Sequence, residues 1–148
     1  MNETLWTGKD FVFLDFEGSV GTPISERSIK RSPLRDVADM VRSFHHAARA
    51  GLSQHVERGN VQQPQFEPWA RYWSDGVSAV FLKAYFQRLG KSDLFPAGEK
   101  ELRAMLQAYL LNQMLTELND ELNAAAGGLK ILLQDIFHLL GDHQTASP

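Results

Sequence analysis

The sequence predicts a mainly α-helical single domain, in which an N-terminal β-hairpin and a loop feed a bundle of about four helices. Three observations lead there. Beyond residue 32 the apolar residues recur at spacings of three and four, the period of a helix with one buried face. Before residue 20 the only ordered-looking stretch is the short β-prone run Phe11-Val12-Phe13-Leu14, facing Leu5-Trp6 across a polar turn. A chain of 148 residues with 43% hydrophobic residues is also large enough for one unstapled core and too small for two domains of ordinary size.

The elements follow in order. Residues 1–18 form the hairpin, with its turn at Thr7-Gly8-Lys9-Asp10 and its end at Asp15-Phe16-Glu17-Gly18. Residues 19–32 form a polar loop punctuated by Gly and Pro and rich in Arg and Lys. Ser32-Pro33 then supplies an N-cap and a proline at the first helical position. Leu34, Val37, Val41, Phe44 and Ala48 give the first helix an apolar stripe that ends near Gly51. His55 to Gln65 read as a polar linker. Glu67-Pro68 opens a second helix, striped by Trp69, Trp73, Val77, Val80, Phe81 and Ala84 and stopped by Gly90. A third helix runs from about Glu99 to Asn123 through Leu102, Leu106, Tyr109, Leu118 and Leu122. After the break at Gly127-Gly128, a short helix extends from Leu129 to Leu140 and ends at Gly141. The domain is thus expected to span residues 1–142, with the helical bundle at 33–142 and a disordered tail at 143–148.

Composition excludes several function classes. Without cysteine the chain has neither a disulfide framework nor thiolate chemistry. A net charge of −3 offers no global field for nucleic acid or anionic lipid. No apolar run approaches the roughly 18 residues of a membrane span, and Met1-Asn2-Glu3-Thr4 does not open a signal peptide. A cytoplasmic protein without nucleic-acid or membrane partners is the expectation. The chain also contains no G-x-S-x-G elbow and no G-x-x-x-x-G-K-[ST] loop. His45 and His46 are adjacent and so face different sides of their helix, whereas paired metal ligands want a spacing of three or four.

Asp15-Phe16-Glu17-Gly18 is the stretch richest in chemistry. A carboxylate closing a strand beside a glycine is a common way to present a hard oxygen ligand to Mg²⁺, and it is also a common turn residue. The basic run Arg27, Lys30, Arg31 and Arg35 reads either as a phosphate contact or as a solvated charge run, the second being preferred. Glu117, Asp120 and Glu121 cluster on the third helix, with Glu117 and Glu121 sharing a face, and a solvated acidic face is the preferred reading. Trp69, Tyr72 and Trp73 are read as core aromatics, with sugar stacking as the alternative.

Several separate segments together resemble maltokinases, the sugar kinases found free-standing or fused to trehalose synthase. These segments are Leu5-Trp6-Thr7-Gly8 through Asp15-Phe16-Glu17-Gly18, then Ser25-Glu26-Arg27, Lys30 to Ala38, Met40, and Arg42-Ser43-Phe44-His45. Glu67-Pro68-Trp69-Ala70 with Trp73, and the helix Leu110 to Asn123, extend the likeness over about residues 5 to 140. The resemblance implies the C-terminal lobe of a protein-kinase-like fold, in the superfamily of aminoglycoside phosphotransferases. It implies transfer of the ATP γ-phosphate to the anomeric hydroxyl of maltose, giving maltose 1-phosphate for trehalose and glycogen metabolism. Asp15 would be the Mg²⁺ ligand, and Asp15 with Glu17 would form the Mg²⁺–ATP site. Glu117 and Glu121 would lie toward the sugar.

The chain departs from the family in ways that bear on activity. The family's His-Gly-Asp catalytic loop and its nucleotide-gripping lobe are not found in these 148 residues, so no catalytic base is assigned and the isolated chain is expected to be inactive. Gln113 and Thr116 replace residues that are usually Lys and Tyr, and Ala124-Ala125-Ala126-Gly127-Gly128 replaces an Arg-Pro turn. The expected partner is an N-terminal kinase lobe or a second copy of the chain. The rival reading is a non-enzymatic helical module that oligomerises, through burial of Phe11, Phe13 and Phe16 or a swap of the hairpin.

Overall fold

The structure, a computed structural model, describes residues 4–14, 25, 29–59, 63–90, 92–124 and 129–141. Strands β1 (Thr4–Trp6) and β2 (Phe11–Phe13) pair antiparallel, with Thr4 opposite Phe13, Leu5 opposite Val12 and Trp6 opposite Phe11. Helices α1 (Leu34–Glu57), α2 (Gln63–Leu89), α3 (Glu99–Ala124) and α4 (Leu129–Gly141) hold most of the described residues. The expected mainly helical architecture with a small N-terminal hairpin is the one observed.

The hairpin turn works as its composition suggests. Thr7 donates its amide N–H to the Asp10 carbonyl at 2.9 Å, and its hydroxyl reaches the same oxygen. The Asp10 side chain accepts the Phe11 N–H at 2.8 Å. Gly8 takes φ +92, a conformation that side-chain-bearing residues rarely adopt. The Trp6 and Phe11 rings stack obliquely with centroids 4.7 Å apart. Both rings remain more than half exposed, and among the described residues neither strand packs against a helix.

Helix boundaries differ from expectation in three places. Pro33, rather than Ser32, holds the cap position of α1, while Ser32 accepts the Leu34 and Arg35 amides through Oγ and its carbonyl at 3.3 and 3.1 Å. α1 also continues through Gly51 to Glu57, so His55 to Arg58, expected to open the polar linker, belong to the helix or its cap. Gly51 stays helical within α1, with open space where a Cβ would sit, at the roughly 1 kcal/mol that a helical glycine costs. The stop lies at Gly59, with φ +71 and its N–H on the Val56 carbonyl at 2.9 Å. α2 begins at Gln63 and carries Pro68 as its sixth residue, because a proline that early disturbs few amide bonds.

Gly90 ends α2 as expected, in the left-handed region at φ +62, with its N–H on the Phe86 carbonyl at 3.2 Å. Gly90→Ala is expected to lower stability by about 1 kcal/mol, since a Cβ is disfavoured in that conformation. The drop is measured as a shift in the urea midpoint at unchanged slope.

The helices are arranged in the spatial order α2, α1, α3, α4. α1 lies between α2 and α3, which among the described residues do not pack on one another, and α4 packs on α3. The buried face of α1 is Leu34, Val37, Ala38 and Val41. On the other side Met114 of α3 meets Leu132 and Ile136 of α4, flanked by Leu111, Leu118 and Leu139. An aromatic chain ties α1 to α2 and to the following loop. Phe44 meets Phe81 edge-on at 5.6 Å, Phe81 meets Tyr85 at 5.9 Å, and Phe95 closes on Tyr85 and Phe86 at 6.4 and 6.1 Å.

α2 shows a correction to the expected core. The side of α2 that meets α1 buries Ser74 and Ser78, with Phe81 and Tyr85 partly buried, whereas Trp69, Tyr72, Trp73 and Val80 are exposed. The helix carries apolar residues around much of its circumference, so spacing alone does not select the face. Small serines permit close approach of the two backbones, and the bulky indoles are left outside.

Candidate functional site

The most organised polar feature of the fold is built where α1 meets the other helices. Arg42 follows Val41 in the buried face of α1 and is itself only 2% exposed. An isolated charge there would be strongly unfavourable, so it must be paired. Its Nε and Nη2 donate to the two oxygens of Glu117 on α3, at 3.1 and 2.5 Å, in the two-pronged geometry that suits a guanidinium and a carboxylate. Its Nη1 reaches Asp135 of α4 at 3.4 Å.

Each carboxylate has further partners. His46 Nε2 lies 3.1 Å from Glu117 Oε1. Arg49 of α1 donates to Asp135 Oδ2, and Arg71 of α2 approaches Asp135 Oδ1 at 3.7 Å. Asp135 therefore gathers guanidinium groups from two helices, and the network as a whole spans all four.

Electrostatics follow from this geometry. Burial alone would raise the Glu117 carboxyl, but hydrogen bonds from His46 and Arg42 and the Arg42 charge outweigh it and hold it at about 2. Burial, reinforced by Arg42, pushes Arg49 below the usual guanidinium range, and it still remains charged near neutrality. His45 is lowered by burial and then by Arg42, so it is neutral at pH 7.

His45, Ser74 and Asp75 have the composition of a nucleophilic triad without its geometry. The Ser74 hydroxyl donates to the Arg71 carbonyl at 2.8 Å. His45 Nδ1, 3.3 Å from Ser74 Oγ, is therefore left to donate to that oxygen, the reverse of what a general base does. Asp75 is 4.0 Å from His45 Nε2 and exposed, and Ser74 is buried. These groups fasten α2 to α1. Beside them lies a cleft of about 60 Å³ lined by His45, Arg49, Ser53, Glu67, Arg71 and Asp135.

The residues singled out by sequence fall into three sets. Asp15 and Glu17, the metal and nucleotide candidates, lie outside the described residues, as does Arg27 of the basic run. Glu117 and Glu121 are both half-buried on α3, one turn apart, while Asp120 is exposed, so the acidic cluster divides between the protein and solvent. Lys30, Arg31 and Arg35 are exposed. His45 and His46 face different helices, Ser74 of α2 and Glu117 of α3, as their adjacency required. Among the described residues, no three His, Asp or Glu side chains gather as a metal would need.

Arg42, Arg49 and Asp135 were not marked by sequence as a site. The available signal was a charge interrupting an apolar stripe, at Val41-Arg42 and again at Leu132-Leu133-Gln134-Asp135-Ile136-Phe137. No helix among the described residues is long and apolar enough to cross a membrane. Compared with models of known protein families, the chain matches none.

Proposed function

We propose that the chain serves as the C-terminal lobe of a maltokinase-like sugar kinase and acts together with a nucleotide-binding lobe. The observation that favours this reading is the Arg42–Glu117 pair. It joins two separate segments that carry the resemblance, Arg42-Ser43-Phe44-His45 on α1 and Leu110 to Asn123 on α3. A hairpin leading into such a helical scaffold suits a lobe that presents a short carboxylate loop after its second strand.

In this proposal Asp15 holds Mg²⁺ with Glu17 beside it, and the bound ion supplies neutralisation of the nucleotide phosphates. Glu117 and Glu121 face the sugar and accept its hydroxyl hydrogen bonds. Glu117 stays ionised there, with its two oxygens also engaged by Arg42 and His46. Positioning and charge neutralisation are divided between two lobes in such enzymes, so the chain alone is expected to turn over no maltose.

The test is reconstitution. The chain is mixed with the N-terminal lobe of a maltokinase, Mg-ATP and maltose, and maltose 1-phosphate is followed with time. Product should form only in the mixture, and Asp15→Ala should lower its rate on the order of 10²–10³-fold. Association of the two lobes without product overturns the proposal, and so does turnover by the chain alone.

A further inference from the structure

The outer face of α2 is an unusual surface for a helix that already has a packing partner. Phe66, Trp69, Trp73 and Val80 follow one another at spacings of three, four and seven, with Tyr72 alongside. Trp69 is 67% exposed and Tyr72 74%, and their rings meet edge-on at 6.4 Å. Next to this ridge is a groove of about 190 Å³ between α1 and α2. Its lining is Ala47, Ala48, Gly51, Ala70 and the side of Trp73. It is a shallow groove open to solvent and floored by small side chains and a glycine, so an aromatic ring can lie against it.

We propose that this face pairs with the same face of a second copy of the chain, the Trp69 ring of each copy seated in the Ala47–Gly51–Ala70 groove of the other. Two observations select a second copy. The patch carries a projecting ring and an adjacent hole on one surface, which is what a two-fold, self-complementary interface requires. The exposed parts of its five large side chains also amount to an area on the order of 600 Å² per copy. Doubled, that reaches the lower edge of the roughly 1,200–2,000 Å² buried by specific interfaces, before any backbone or neighbouring contact is counted. A single sugar ring would cover only a fraction of a ridge four helical turns long.

This pairing is distinct from burial or exchange of the hairpin, and it does not depend on the kinase reading. Sedimentation velocity of the full chain over a wide concentration range, without nucleotide or sugar, tests it directly. The expected species has twice the mass of the 16.7 kDa chain. Trp69→Ala should weaken the dimer by about 30-fold or more, as loss of a central aromatic anchor does, with helical circular dichroism unchanged because the ring is exposed. Phe11→Ser in the hairpin should leave it intact.

A monomer at every concentration overturns the proposal, as does a dimer that survives Trp69→Ala. A dimer lost with Phe11→Ser but not with Trp69→Ala assigns association to the hairpin instead. A monomer that binds maltose until Trp69 is removed makes the face a carbohydrate platform, which also overturns it.

Discussion

Arg42→Ala is expected to lower folding stability by about 3 kcal/mol or more, one of the two largest single effects in the protein. The change removes the group that satisfies both oxygens of Glu117 and reaches Asp135, in a site where breaking a buried pair costs about 3–5 kcal/mol. His46, Arg49 and Arg71 remain near the two carboxylates and keep the loss toward the lower end of that range. Urea unfolding of wild type, Arg42→Ala and the double variant Arg42→Met/Glu117→Leu measures it. The double variant should recover most of the loss, because apolar groups of similar volume leave no charge unpaired. A double variant as unstable as the single one would mean that the loss does not come from leaving Glu117 unpaired.

The second large effect is on pH dependence. The Glu117 carboxyl is held at about 2 in the folded chain against an ordinary value of 4.5. Its folded value is the lower one, so the stabilisation is fully present above about pH 4.5 and disappears as pH falls toward 2. It amounts to about 3 kcal/mol at neutral pH. Urea midpoints collected from about pH 7 to about pH 2.5 should fall along this limb in wild type. In Glu117→Gln the limb should be shallower and the neutral-pH stability lower, because the amide cannot give Arg42 two charged acceptors. An unchanged acid limb in that variant would place the acid sensitivity in other carboxylates.

Both effects arise from residues whose importance is hard to read along the chain. Arg42 stands in a helical stripe between Val41 and Phe44, where a charge usually marks the edge of a face. Its partners are 75 and 93 residues away, on helices that meet α1 from another side. Glu117 was legible as one of three clustered acids. Only its position opposite Arg42 and His46 distinguishes it from Asp120, which faces water.

Local signals carried the helical class and most of the element ends. The hairpin turn at Thr7–Asp10 and the stop at Gly90 depend on side chains and dihedrals within four residues of each other, so composition specifies them. α3 and α4 occupy nearly the spans that their apolar period predicts. Gly51 misled because a glycine ends a helix only where the backbone turns left-handed, and here that turn is taken at Gly59 while Gly51 stays helical.

The amino-acid sequence by itself determined that this protein is mainly helical, where its hairpin turns, where α2 stops and roughly where α3 and α4 begin and end. Those properties are set by hydrogen bonds and torsions among neighbours in the chain. The tertiary structure alone decided which side of α2 is buried, that α1 lies between α2 and α3, and that Arg42, Glu117 and Asp135 meet. The physical reason is that a helix with several apolar stripes has several packing solutions of similar hydrophobic content. The choice among them falls to close approach at Ser74 and Ser78 and to the pairing of charges that no single helix can satisfy.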